Sequence, residues 1–409
     1  MKKTTLSLTT ALLMGTSAFA LETKIDNVKL EGDAKLYYST SNGGTNSLFN
    51  QGKAADAATE SKISMADAAL RLKLTADLNK NLKTGVSTTT LSTLGLENNL
   101  VRNTFSDAHP GSGVVDDFTL VTESWVALNS GKTTVKLGRQ LLDTPLVFSE
   151  NWSVLPNSYD ATVILNKSIP DVTLIGAYVG KGNGGTGKFG HGTTTQKGEF
   201  GAFGADSNKS KNSGAYALAA VYSKNDLKVQ AWAYNVADQA DALWIEAEKS
   251  EGLIAGVQYT TVDYKAANST TDSNAVAAKV GVSKKDAYSL TVAYSETAKE
   301  GTAGFNVGGG KQSKLYTETK WNYGYVTRKD TTAVNVTAKY DVSKTFSAAI
   351  FVTQTDSVAV NTDMMETTLR LTKKYDDFKA SLVYIGTDAE DQNSGVAFDT
   401  VQLYLTASF

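Results

Sequence analysis

The stretch whose residue types come nearest to catalytic or ligand chemistry is GNGGTGK, Gly182 to Lys188. A glycine, four residues, then Gly-Lys is the spacing with which a phosphate-cradling loop presents backbone N–H groups and one ammonium. Such a loop also needs a Ser or Thr next for magnesium and a helix behind it. Phe189 stands there instead, and no helical periodicity follows. The segment reads as a glycine-rich surface connection. His109 and His191 are the only histidines, and neither has a partner at ligand spacing. Cysteine is absent, which removes disulfides, thiolate metal sites and thiol nucleophiles. Serines and threonines abound, but no histidine sits at a strand end to act as their base. The expectation is no catalytic, cofactor or metal site, and so no enzyme.

Charge and hydropathy narrow the class further. There are 40 Lys and Arg against 42 Asp and Glu, a net charge of −2. Nucleic acid, which needs a basic excess, is not an expected partner. The mean hydropathy of −0.22 is too polar for a helical bundle in a membrane, and no apolar run reaches the roughly 18–20 residues of a spanning helix. Lys2 and Lys3, the apolar stretch Leu6 to Gly15 and Ala18-Phe19-Ala20 read as a signal peptide at 1–20. The mature chain is then 21–409.

What positions side chains in that chain is two-residue alternation. In the last ten residues Val401, Leu403, Leu405, Ala407 and Phe409 share one face of a strand, and Gln402, Tyr404, Thr406 and Ser408 the other. Segments of this kind recur from Val28 onward, at the length a tilted spanning strand needs, roughly 9–11 residues. Eight short polar turns, from 79–81 to 373–376, alternate with nine longer connections at 39–64, 92–119, 141–157, 180–213, 236–240, 263–273, 296–330, 355–363 and 387–398. Short turns at one rim and long loops at the other mark a barrel that spans a membrane.

The expected fold is therefore all-β: a transmembrane antiparallel β-barrel of about eighteen strands, with short periplasmic turns and long extracellular loops. Pro110, Pro145, Pro156 and Pro170 all fall in connections, where a residue without a ladder donor belongs. Rows such as Tyr288-Leu290-Val292-Tyr294 set tyrosines at both ends of an apolar band, as a bilayer with two headgroup levels requires. The opposite rows face the lumen and carry twelve cations, among them Arg71, Lys73, Lys136, Lys228, Lys279, Lys339 and Arg370, against eight acids that include Glu123. That balance predicts at most a mild anion preference.

GRQLLDTPLVFSENWSVLPNSY, Gly138 to Tyr159, resembles the third-loop region of OprD-like porins and of the related major outer-membrane porins of epsilonproteobacterial type. The likeness covers the mature chain in architecture and about twenty residues in motif. It implies a diffusion channel in the outer membrane whose loop at 141–157 folds inward as a constriction, with Asp143, Pro145, Glu150 and Trp152 at the narrow part. It also implies a homotrimer, and a terminal Phe409 read by the barrel-assembly machinery. The loop departs from substrate-specific members in having no arginine cluster, which argues against a dedicated carboxylate ladder. From the residues themselves, Leu141, Leu142, Leu146, Val147, Phe148, Trp152, Val154 and Leu155 are too apolar for open water. They would pack on the inner wall, over the rim or in a trimer contact. The function expected is passive passage of ions and small hydrophilic solutes. The alternatives are a substrate-selective channel of the same fold, or a surface adhesin or structural anchor acting through 180–213 and 296–330.

Overall fold

A computed structural model describes residues 25–42, 48–49, 64–92, 118–152, 154–183, 200–203, 214–265, 271–308, 312–357, 363–389 and 396–409. The expected signal peptide at 1–20, His109, His191 and all but the first two residues of the glycine-rich motif lie outside them. Alternation becomes geometry in nineteen strands, β1–β19 in chain order. The two-residue β8 (Gly201–Ala202) only extends the edge of β7 (Val172–Gly182), which pairs onward with β9 (Ala215–Lys224). The other eighteen form one antiparallel ring, closed where β1 (Asp26–Ser41) pairs with β19 (Phe398–Ser408) from Asp33↔Ser408 to Ser41↔Thr400.

Closure sorts the two faces. Leu218, Leu253 and Val280 point outward and are 69%, 64% and 63% exposed, the state of side chains meant for lipid. Inward rows hold polar groups such as Gln258, Asn335, Glu366 and Gln402, all buried. Short turns close one rim, and the residues that make them tight occupy the left-handed region: Asn225 at φ 54°, Asp286 at 55° and Asp376 at 45°. One long loop is overturned. The expected connection at 236–240 is a three-residue turn, 237–239, between β10 (Leu227–Val236) and β11 (Ala240–Lys249). Gln239 N–H donates to Val236 O at 3.0 Å there. Asp238 adopts φ 60°, so the rim asymmetry has one exception.

The chain end completes the seam. Gly32 N–H donates to Phe409 O at 2.9 Å, and Phe409 N–H returns a bond to Gly32 O at 3.0 Å. The Phe409 ring lies where a Cβ on Gly32 would stand. Removing Phe409, or changing it to Asp, is expected to reduce the heat-modifiable, folded form in outer-membrane fractions. Gly32→Val should do the same by displacing the ring. A normal folded yield in both variants would show that this contact is dispensable.

Candidate pore site

Two connections meet on the inner side of the wall. In the first, Thr144-Pro145-Leu146-Val147 is a tight turn in which the Thr144 hydroxyl donates to Val147 O at 2.7 Å. An isolated bridge joins Asp143 to Phe148. Leu146 and Val147 sit in an apolar cluster with Trp232, Tyr234, Trp244 and Val262 of the wall. At the segment's other end Trp152 meets Tyr37 of β1 edge-on, with centroids 5.8 Å apart. Tyr37 and Tyr234 stand on opposite sides of the ring.

The second connection, 298–330, is one the sequence reading assigned to the outer surface. Asn306 ties it to the first: its amide donates to Phe148 O and Glu150 Oε1, both at 2.9 Å, and its Oδ1 accepts from Phe148 N–H at 3.2 Å. Val307 N–H donates to Leu146 O at 2.7 Å. The Tyr159 hydroxyl lies between the carbonyl oxygens of Phe148 and Gly308, at 2.8 and 2.7 Å. Farther along, Trp321 packs edge-on against Trp152 with centroids 5.6 Å apart.

Glu366 on β17 (Met364–Tyr375) then holds the second segment to the wall. Its carboxylate accepts the backbone N–H groups of Lys320, Trp321 and Asn322 at 2.7, 3.2 and 2.8 Å, and the Asn322 amide at 2.8 Å. Glu318 does the same within the segment, accepting from the N–H groups of Ser313, Thr319 and Gly324. Burial pushes the Glu318 carboxyl up, and these donors pull it part of the way back. The ammonium of Lys320 is pushed down, mainly by burial, with Glu318 opposing and Arg370 and Lys339 adding to the fall.

The family model described as "outer membrane porin, OprD family" matches residues 106–344, more than half of the 409-residue chain. The chain belongs to the OprD outer membrane porin family. This porin is therefore an outer-membrane β-barrel channel for small solutes, with lipid around it. Its family and fold are those of channels rather than enzymes. The fold is also that of OpdK from Pseudomonas aeruginosa, at TM-score 0.71 and 12% identity over 93% of this chain and 98% of that one. It is similar to OccAB3 from Acinetobacter baumannii, at 0.74 and 12% over 94% and 99%. A BenF-like porin from Pseudomonas fluorescens Pf-5 gives 0.72 and 13% over 94% and 99%. No curated protein matches the chain by sequence.

The expected site residues fall into three groups in this porin. Several expected lumen charges are neutralised in place: Arg71 by Asp33, Lys73 by Glu123 at 2.8 Å and Lys279 by Glu248 at 2.6 Å. Lys136 rests over the Trp125 ring, 4.4 Å from its centroid, and Lys228 stands across the ladder from Glu248. A second group is the constriction set, and it divides. Asp143 is open, its side chain 89% exposed, and it pairs with Lys314 of the second segment. Pro145 is buried at its turn, and Trp152 is half-buried between two aromatic rings. Glu150 differs from the expectation of a lumen charge. It is 1% exposed and receives Asn306, because the second segment covers it.

The third group is a cluster of cations. Lys339 and Arg370 both pair across Ala349 in the ladder, so they flank one residue on the inner face. Lys320 joins them from the second segment, its ammonium 4.8 Å from the Phe351 centroid, with the Arg370 guanidinium 6.0 Å from the same ring. Among the described residues none of the three has a salt-bridge partner, and Arg370 Nε has no hydrogen-bond partner. Sequence reading missed Lys314, Lys320 and the whole second segment. Phe305, Val307, Leu315, Tyr316, Trp321, Tyr323 and Tyr325 were the available signal, since they make 298–330 as unsuited to open water as 141–157.

Proposed function

We propose that this porin passes small hydrophilic solutes passively through a constriction built jointly by 141–157 and 298–330, with a mild preference for anions. The observation that carries the preference is the clustering of Lys320, Lys339 and Arg370 on one wall without a salt-bridge partner, whereas Arg71, Lys73 and Lys279 each have a carboxylate. Glu318 and Glu366 lie nearby and keep the local excess small. Their oxygens face the backbone of the second segment, whereas Lys320 and Arg370 face Phe351. Strong selectivity needs a ring or ladder of one sign, and one uncompensated patch supports only a weak bias. Charges are screened beyond about 8 Å at physiological salt, so groups at the narrow part dominate.

The test is the zero-current potential across a roughly tenfold KCl gradient, read against the weak bias that one patch of charge supports. Neutralising Lys320, Lys339 and Arg370 together to Gln should move the potential toward cations, and Asp143→Asn should move it toward anions. Glu150→Gln should leave it almost unchanged, since that carboxyl is covered. An unaltered potential in the folded triple variant would overturn the assignment. The terminal strand with Phe409 is the part the assembly machinery would read. A homotrimer, implied by the family resemblance, is checked by the mass of the protein in mild detergent.

A further inference from the structure

The lumen of a diffusion channel is expected to be polar, and most inner rows here are. One sector departs from this. On β6 (Tyr159–Asn166), β7 and β9 the inward residues include Val163, Ile175, Ala177, Val179 and Ala217, all apolar. Leu142 and Val147 of the first segment stand off from this wall and leave a cavity of about 310 Å³ between. The cavity reaches Thr134 and Leu165, beside the short turns, so it lies on the periplasmic side of the segment.

We infer that this alcove is a binding site for a small uncharged amphiphile with one aromatic ring or a compact branched alkyl body. Its volume is at the low end for ligand sites, which run from about 300 to 1,000 Å³. Lined mainly by aliphatic side chains together with Trp232 and Tyr234, it gains by taking apolar surface out of water. The polar groups at its edge are already engaged. The Gln140 amide donates to Gly138 O and Ala161 O, and the Thr144 hydroxyl donates to Val147 O. The two charged groups on the lining are Lys136 and Asp143, one of each sign. The Lys136 ammonium is turned onto the Trp125 ring. Asp143 at the lip is held through Oδ1 by Lys314, so neither charge on the lining is left free for a carboxylate, while Oδ2 can accept from a hydroxyl. The guest is therefore an alcohol or phenol rather than an acid, and this site is separate from the cationic trio.

The experiment uses the full-length barrel folded in phosphatidylcholine vesicles and an aryl-diazirine benzyl alcohol as photolabel. Adducts are mapped by mass spectrometry. Labelling of Leu142, Val163 or Ile175, displaced by benzyl alcohol but not by benzoate, is the expected result. Ala177→Phe and, independently, Ala217→Phe fill the alcove and should lower that labelling by roughly tenfold, leaving labelling of the lipid face intact. Folding of each variant is read from its heat-modifiable band. Adducts confined to outward residues such as Leu174 and Leu218 would overturn the site. So would inward labelling that survives in both filled variants. Displacement by benzoate in preference to benzyl alcohol would overturn the ligand class, whatever the ion selectivity proves to be.

Discussion

Replacing residues 142–149 with a short Gly-Ser link is expected to raise single-channel conductance by roughly twofold, because an eighteen-strand ring encloses a wide lumen that only inserted segments can narrow. The wall itself should survive the change, since the ladder from Thr133↔Asn166 to Gln140↔Tyr159 lies outside the deletion. The second segment should loosen as well. Asn306 loses both of its Phe148 contacts, and Val307 loses Leu146 O. The increase therefore has two sources, the missing residues and the freed neighbour, and the freed neighbour should add open-channel noise. Conductance equal to wild type, with normal barrel content by circular dichroism, would place the constriction elsewhere.

Glu366→Ala is expected to have a comparable effect from the opposite wall. Three backbone N–H groups and one amide converge on that carboxylate, which is 2% exposed. Hydrogen bonds to a charged acceptor are each worth about 1.5–3 kcal/mol, and buried donors left without one cost about as much. That loss is large against the weak forces holding an isolated segment to a wall. Residues 318–324 should leave Glu366's strand, raising conductance and noise together. Glu366→Gln keeps one carbonyl acceptor and should fall between. The melting temperature should change little, because the ring's ladders do not pass through this contact. A quiet channel of normal conductance in Glu366→Ala would show that the segment is held by its packing on Trp152 and Phe351 alone.

Much of this molecule is local, and local order is legible in a chain. A strand's faces follow from the types of residues two apart, so outward Leu218 and inward Gln402 need no knowledge of their neighbours. A short turn follows from an Asn or Asp that tolerates the left-handed region, as at Asn225, Asp286 and Asp376. Strand number and rim asymmetry are sums of such local facts. The turn at 237–239 escaped because Ala237, Asp238 and Gln239 can close a hairpin tightly or belong to a longer bulge, and only the pairing of Val236 with Ala240 decides between them.

The pore's interior is of the other kind. Glu150 lies in an apolar stretch that the sequence reading turned toward the solute path. Its burial is decided by Asn306, 156 residues away. Lys320 reads as a charge on a surface loop until Glu366, 46 residues further along the chain, takes its backbone N–H. Whether Arg71, Lys73 or Arg370 contributes net charge depends on which carboxylate the ring's closure sets beside it, and no spacing along the chain encodes that distance. Alternation assigns each residue to a face; which residues from distant strands and loops then meet in the enclosed space is settled only when the ring closes.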